Sequence, residues 1–158
     1  MSVNPPGNAY PQVSVVLPTR NRAGTLRAAI ASVLAQSFTD FELIVVDDGS
    51  TDDTQAVVDA CHDARIRYIA LERGIGAAAA RNRGLGASHG SIIAFQDSDD
   101  VWRGERLRVQ VDDLMKQPRD VAVSVGGYTL ATGQRSRRPA SIFDTVRKPR
   151  SSPGRPPR

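Results

Sequence analysis

The chain has 158 residues, 40% of them hydrophobic, and a formal charge of +4 that is unevenly spread: residues 133–158 carry eight Lys/Arg against one acid, Asp144, which leaves residues 1–132 at −3. That length suits one domain with a real core, and no run approaches the roughly 18–20 apolar residues that a membrane-crossing helix needs. The lone Cys61 excludes an internal disulfide and a CxxC metal site.

In chain order, residues 1–12 are polar and proline-containing, without the apolar core of a signal peptide. They predict a flexible start and a cytoplasmic protein. Val13 to Leu17 is strand-like and stops at Pro18. Leu26, Ile30, Val33 and Leu34 keep the spacing of one helix face. Phe41 to Val46 predicts a second strand. Ser50-Thr51-Asp52-Asp53 has the form of a helix start, a hydroxyl cap followed by acids. Cys61 shares a helical apolar face with Val57 and Val58, as a small core residue would. Ile66 to Leu71 predicts a third strand. Ala77 to Ser88 predicts an alanine-rich helix with Gly90 as its C′ residue. Ser91 to Phe95 predicts a fourth strand. Leu107, Val111, Leu114 and Met115 predict a helix ending before Pro118, with Asp100 as a candidate cap. Val121 to Val125 predicts a fifth strand, closed by Gly126-Gly127. Strands alternating with helices predict an α/β fold over residues 13–130, with an open, mostly parallel sheet flanked by helices. Residues 131–158, rich in Arg, Pro and Ser, predict a disordered basic tail. It lacks interleaved aromatics, so no nucleic-acid partner is expected.

The chemistry lies where two apolar runs end. Leu43-Ile44-Val45-Val46 runs into Asp47-Asp48-Gly49-Ser50. Ile92-Ile93-Ala94-Phe95 leads through Gln96 into Asp97-Ser98-Asp99-Asp100. In an open α/β sheet, ligands bind outside the carboxyl ends of the strands. Carboxylates gathered there repel unless protonated or bridged by a cation. Hard oxygen donors suit Mg²⁺ or Mn²⁺, which share their coordination with substrate phosphates. The pattern therefore points to a metal-assisted site for a phosphate-bearing ligand. His62 and His89 lack partners at metal-ligand spacing and suit solvated helix ends.

Five segments in order carry a family resemblance: Val13 to Arg22, Ser32 to Ser37, Phe41 to Asp52, Ala79 to Gly84, and Phe95 to Trp102. Together they closely resemble the family 2 glycosyltransferases of GT-A, Rossmann-like fold. The resemblance covers about Val13 to Gly127, the donor-binding part. It implies transfer of a sugar from a nucleoside diphosphate donor, with inversion and with Mn²⁺ or Mg²⁺, to an unidentified glycan, lipid or protein acceptor. Cell-surface polysaccharide synthesis is one setting for such chemistry, cytoplasmic or peripheral at the membrane. It also implies site roles. Pro18 and Thr19 line the nucleotide, and Asp48, rather than Asp47, contacts the base. Gly76 lets backbone approach the ligand, and Arg81 faces the diphosphate. Asp97-Ser98-Asp99 matches the DxD motif, with Asp99 as metal ligand and Asp97 on the ribose or, through water, on the metal. Trp102 matches an aromatic that packs.

Three other readings compete. Gly74-x-Gly76-x-x-Ala79 with Asp97 fits a dinucleotide-binding fingerprint and would imply an NAD-binding domain. It leaves the pairing of the two acidic clusters unexplained. A phospho-accepting receiver domain needs a lysine on a later strand, and Lys116 is the only lysine before the tail. The third reading is a truncated, non-catalytic nucleotide-sugar-binding fragment. Family members carry their acceptor site and general base in a second half, and no catalytic base is identified here. Asp144 is the only acid after Gly127.

Overall fold

The computed structural model describes residues 10–118. Four strands alternate with four helices: β1 (Val13–Thr19), α1 (Ala23–Leu34), β2 (Phe41–Asp47), α2 (Thr54–Asp59), β3 (Ile66–Ala70), α3 (Ala77–Gly86), β4 (Ile92–Phe95) and α4 (Arg106–Lys116). A helix between successive strands returns the chain to the same end of the sheet, so every pairing is parallel. The strand order is β3-β2-β1-β4. The chain steps outward from β1 to β3, then crosses back to place β4 on the far side of β1. The strand order thus reverses beside the end of β1, where an open sheet leaves a crevice.

Burial explains the apolar runs. Val13, Val15, Val16 and Leu17 of β1 and Leu43 to Val46 of β2 are fully buried, odd and even positions alike. That is the pattern of a sheet covered on both faces. On the even-numbered face of β2, Ile44 and Val46 meet Ala80 of α3, with Ile69, Leu71 and Ala87 packed around them. The small residues of α3 permit this approach: a Cβ on Gly84 would stand 2.4 Å from Val16 Cγ1. Leu26, Ala29, Ile30 and Val33 of α1 are fully buried as well.

The chain divides into two units after Leu107. The whole sheet belongs to the first unit. Of the second, the described part is the remainder of α4 through Pro118, where Val111 is buried while Val109 and Met115 are exposed. The expected apolar position at Met115 is thus corrected, since the helix turns it outward. No helix among the described residues is long and apolar enough to cross a membrane. The expected strand Val121–Val125, the basic tail and Asp144 lie outside the described residues.

Several local expectations are corrected. The first strand runs on through Pro18 to Thr19. Val16 O accepts from Gln96 N on the β4 side, and the β4 pairing ends there. Two residues on, Pro18 faces that same side, where the ladder needs no N–H. Ser50 does not cap α2; its Oγ accepts from Asn21 N at 2.8 Å. Asp52 serves two helices instead, accepting from Thr54 N with one oxygen and from Ala23 N, at the start of α1, with the other. Gly90 is not the C′ residue of α3, whose C-cap is Ala87. Gly90 lies where the backbone passes β1, since a Cβ there would be 2.5 Å from Ser14 N. Asp100 does not cap α4, which begins six residues later. Its backbone closes a turn onto Asp97, and its carbonyl accepts from Gln96 Nε2.

At the amino end of the strands lies a buried charge that the apolar runs gave no reason to expect. Glu42 of β2 accepts from Ser14 Oγ at 2.6 Å, His89 N at 2.8 Å and Arg67 Nη1 at 2.7 Å. Arg67 also donates to Ala87 O. His89 is therefore no merely solvated residue, because its ring stands 3.5 Å from Glu42 and against Tyr10. Burial opposes the Glu42 charge, but the bonds from Ser14, Arg67 and His89 N outweigh it and hold the carboxyl below the usual range.

Candidate functional site

The site is built from the carboxyl ends of β1, β2 and β4. All eight residues singled out from the sequence, Pro18, Thr19, Asp48, Gly76, Arg81, Asp97, Ser98 and Asp99, line one cleft of about 340 Å³, together with Arg20, Arg22, Ala77 and Ala80. Register explains the convergence. Thr19 pairs with Asp47 across β1 and β2, and Asp48 N donates to Thr19 O at 2.8 Å. Val16 pairs with Phe95 on the other side, which brings residues 97–99 up beside the end of β1.

The two aspartates at the end of β2 have different work. Asp47 is structural: its Oδ1 accepts from Ser50 N, and its Oδ2 accepts from the Tyr68 hydroxyl at 2.5 Å. Burial and that carboxylate push the Tyr68 phenol well up. Asp48 lines the cleft and accepts from Ile75 N at 2.6 Å and Gly76 N at 2.9 Å. It thereby ties down the turn before α3. Gly76, at φ +93, is the N-cap residue of that helix and has no side chain to cap it. The left-handed backbone there favours glycine. The amino end of α3, where the helix dipole is positive, thus opens at the cleft through Ala77. Thr19 is buried, and its hydroxyl has no hydrogen-bond partner among the described residues.

The DxD segment is more open. The side chains of Asp97 and Asp99 are 53% and 52% exposed. Arg81 Nη2 donates to Asp97 Oδ1 at 2.5 Å. Arg22 stands 4.0 Å from Asp99, and Arg20 stands 4.0 Å from Asp48. Carboxylate oxygens are the donors that Mg²⁺ and Mn²⁺ prefer, so Asp97 and Asp99 fit a cation in type. Among the described residues, no three His, Cys, Asp or Glu side chains form a ready-made metal site. A cation held here would complete its shell with water and phosphate oxygens.

Arg20 and Arg22 are the charged cleft residues that sequence reasoning missed. The available signal was their position, immediately after the strand whose end carries Pro18-Thr19. Trp102 packs, as expected: it is buried, and the Arg106 guanidinium lies 4.4 Å above its ring. Cys61 is only half-buried, its thiol donating to Val57 O, and burial raises its pKa. Gly74 sits beneath the Arg20 guanidinium, and Gly76 gives its N–H to Asp48. Nothing in that turn favours the dinucleotide reading.

An open parallel sheet with acids from two strand tips around one cleft fits the GT-A class of α/β domain. The family model described as "Glycosyl transferase family 2" matches residues 14–155, and the chain belongs to that family. It is 38% identical over 118 residues to the Escherichia coli protein named UDP-Glc:alpha-D-GlcNAc-diphosphoundecaprenol beta-1,3-glucosyltransferase WfgD, covering 75% of this chain and 46% of that one. S. aureus TarS 1-349 in complex with UDP-GlcNAc superposes with TM-score 0.61 at 31% identity, covering 66% of this chain and 32% of that one. The mannosyltransferase PcManGT from Pyrobaculum calidifontis, in complex with GDP-Man and Mn2+, superposes with TM-score 0.66 at 25% identity, covering 77% and 37%. The chain spans less than half the length of each of these three proteins.

Proposed function

We propose that this domain holds a nucleoside diphosphate-sugar together with Mn²⁺ or Mg²⁺ and presents the sugar for inverting transfer to an acceptor hydroxyl. One observation carries the reading: acids from the ends of β2 and β4 share a cleft with Arg81 and the amino end of α3. The complexes of similar proteins with UDP-GlcNAc, and with GDP-Man and Mn2+, support it.

Asp48 and Thr19 take the base. An ionised carboxylate only accepts hydrogen bonds, so Asp48 favours a base with a ring N–H, as uracil and guanine have and adenine and cytosine lack. Pro18 shapes the strand end without adding a donor. Gly76 keeps the turn free of a side chain. Arg81 and the first turn of α3 attract the diphosphate. Asp97 and Ser98 hold the ribose side, and Asp99, with Asp97, would hold the cation. When bound, that cation offsets the negative charge growing on the departing diphosphate. The acceptor oxygen then bonds to the anomeric carbon on the face opposite the breaking bond to the diphosphate.

The acceptor must lose its proton to a base within hydrogen-bond reach. The acids lining the cleft are Asp48, Asp97 and Asp99, and all three serve the donor. None of these three is then left to serve as that base. A second reading is donor binding without turnover by this chain alone. Calorimetric titration of UDP, GDP, ADP and CDP with Mn²⁺ tests the shared part. UDP or GDP should bind saturably, and Asp99→Ala should weaken that binding on the order of tenfold or more. A preference for ADP or CDP, or unchanged affinity in Asp99→Ala, rejects the assignment. Sugar transfer measured beside binding then separates the two readings.

A further inference from the structure

Resting on that reading of the cleft, we propose that Arg22 and Arg81 are exchangeable counter-ions. They neutralise Asp99 and Asp97 until nucleotide arrives, then turn to its diphosphate as the cation takes the carboxylates. Cation and nucleotide consequently bind as a coupled pair.

Each carboxylate of the DxD segment faces a guanidinium. Arg81 donates to Asp97, and Arg22 stands 4.0 Å from Asp99. A guanidinium and a metal ion compete for the same oxygens, so a cation alone must displace these pairs. It gains little in return, because no third carboxylate or imidazole completes the site among the described residues. A diphosphate changes both terms. Its oxygens supply missing ligands, and its paired oxygens match the planar donor fork of arginine. Charge then balances: a doubly charged cation and two guanidinia face two carboxylates and the two charges of a diphosphate diester. Exchange is easy because the pairs are solvated. Arg22 and Asp99 are 55% and 52% exposed, and pairs of this kind are weak. Arg22 and Arg81 approach from different elements, the loop after β1 and helix α3, so they can grip the ligand from two sides.

Mn²⁺ titration of the full chain, alone and at saturating UDP or GDP, measures the coupling. Wild-type protein should bind Mn²⁺ on the order of tenfold more tightly with nucleotide, and the reciprocal gain for nucleotide should equal it. Arg81→Gln and Arg22→Gln should each tighten Mn²⁺ binding without nucleotide by about three- to fivefold, and each should shrink the nucleotide-induced gain. Arg83→Gln removes the same charge from α3 at a residue that does not line the cleft, and should change neither value. Equal Mn²⁺ affinity with and without nucleotide overturns the proposal. So does an Arg81 or Arg22 variant whose Mn²⁺ affinity alone is unchanged or weaker, or an Arg83 variant that matches them. Failure of the underlying reading looks different: no UDP or GDP binding at any Mn²⁺ concentration. The nucleotide-free Mn²⁺ titrations of the arginine variants still decide the counter-ion role in that case.

Discussion

The two ends of the sheet hold the same chemistry in opposite states. At the amino end, Glu42 is buried beneath a half-exposed Arg67, both Glu42 oxygens are engaged, and the guanidinium is shared with a backbone carbonyl. At the carboxyl end, Asp97–Arg81 and Asp99–Arg22 are half exposed, and each carboxylate faces one guanidinium. A buried, satisfied carboxylate such as Glu42 cannot give up its partners without being left as an uncompensated charge. An exposed pair can trade its partner for a ligand at little cost. The contrast teaches that carboxylate–arginine pairing alone does not mark a site; unspent coordination on a solvent-facing cleft does.

The sharpest way to break that contrast is Glu42→Ala. It removes at once the acceptor of Ser14 Oγ, His89 N and Arg67, which leaves Arg67 only Ala87 O, and should lower unfolding stability by about 1–3 kcal/mol, read by urea denaturation. Nucleotide affinity of the folded protein should not change. A variant as stable as wild type would remove the distinction between the two ends. The pH dependence is a gentler probe. The folded-state pKa of Glu42 lies below its ordinary 4.5. Its contribution is therefore complete above that value and fades as pH falls through the depressed pKa. Glu42→Gln should flatten the loss of stability below pH 4.5, followed by denaturant midpoints across the acid range. The smallest effect belongs to the open end. Arg81→Gln should change stability by no more than about 0.5 kcal/mol, while altering Mn²⁺ and nucleotide binding. A loss as large as that of Glu42→Ala would make Arg81 a structural residue.

Much of this was legible in the chain, for reasons that particular residues make plain. Leu43 to Val46 and Ile92 to Phe95 are apolar on both faces, so both read as buried strands; β2 is buried throughout, but β4, outermost in the described sheet, is only half-buried and leaves Phe95 exposed. Parallel strands put Asp48 and Asp97–Asp99 on one rim. Arg20 and Arg22 were not legible as cleft residues, since a loop side chain gains its meaning from how the loop lies. Glu42 was a lone charge inside an apolar run, and its partners come from residues 14, 67 and 89, far apart in sequence. Asp52 caps α1 from the loop before α2, a bond between segments some thirty residues apart that local cap patterns do not reveal. Pro18 misled because the rule that proline ends a strand assumes a neighbour needing its N–H, and β4 stops short of it.

Paramagnetic broadening of backbone amide signals by Mn²⁺, with and without UDP or GDP, tests the central claim most directly. With nucleotide present, the signals of Thr19, Gly76, Arg81 and residues 97–99 should broaden first, while Glu42, five residues before the end of β2 at about 3.3 Å each, and its partners Arg67 and His89 should broaden last. Broadening centred on the Glu42 end, or spread without preference over the surface, would contradict a cation–diphosphate site at the strand tips.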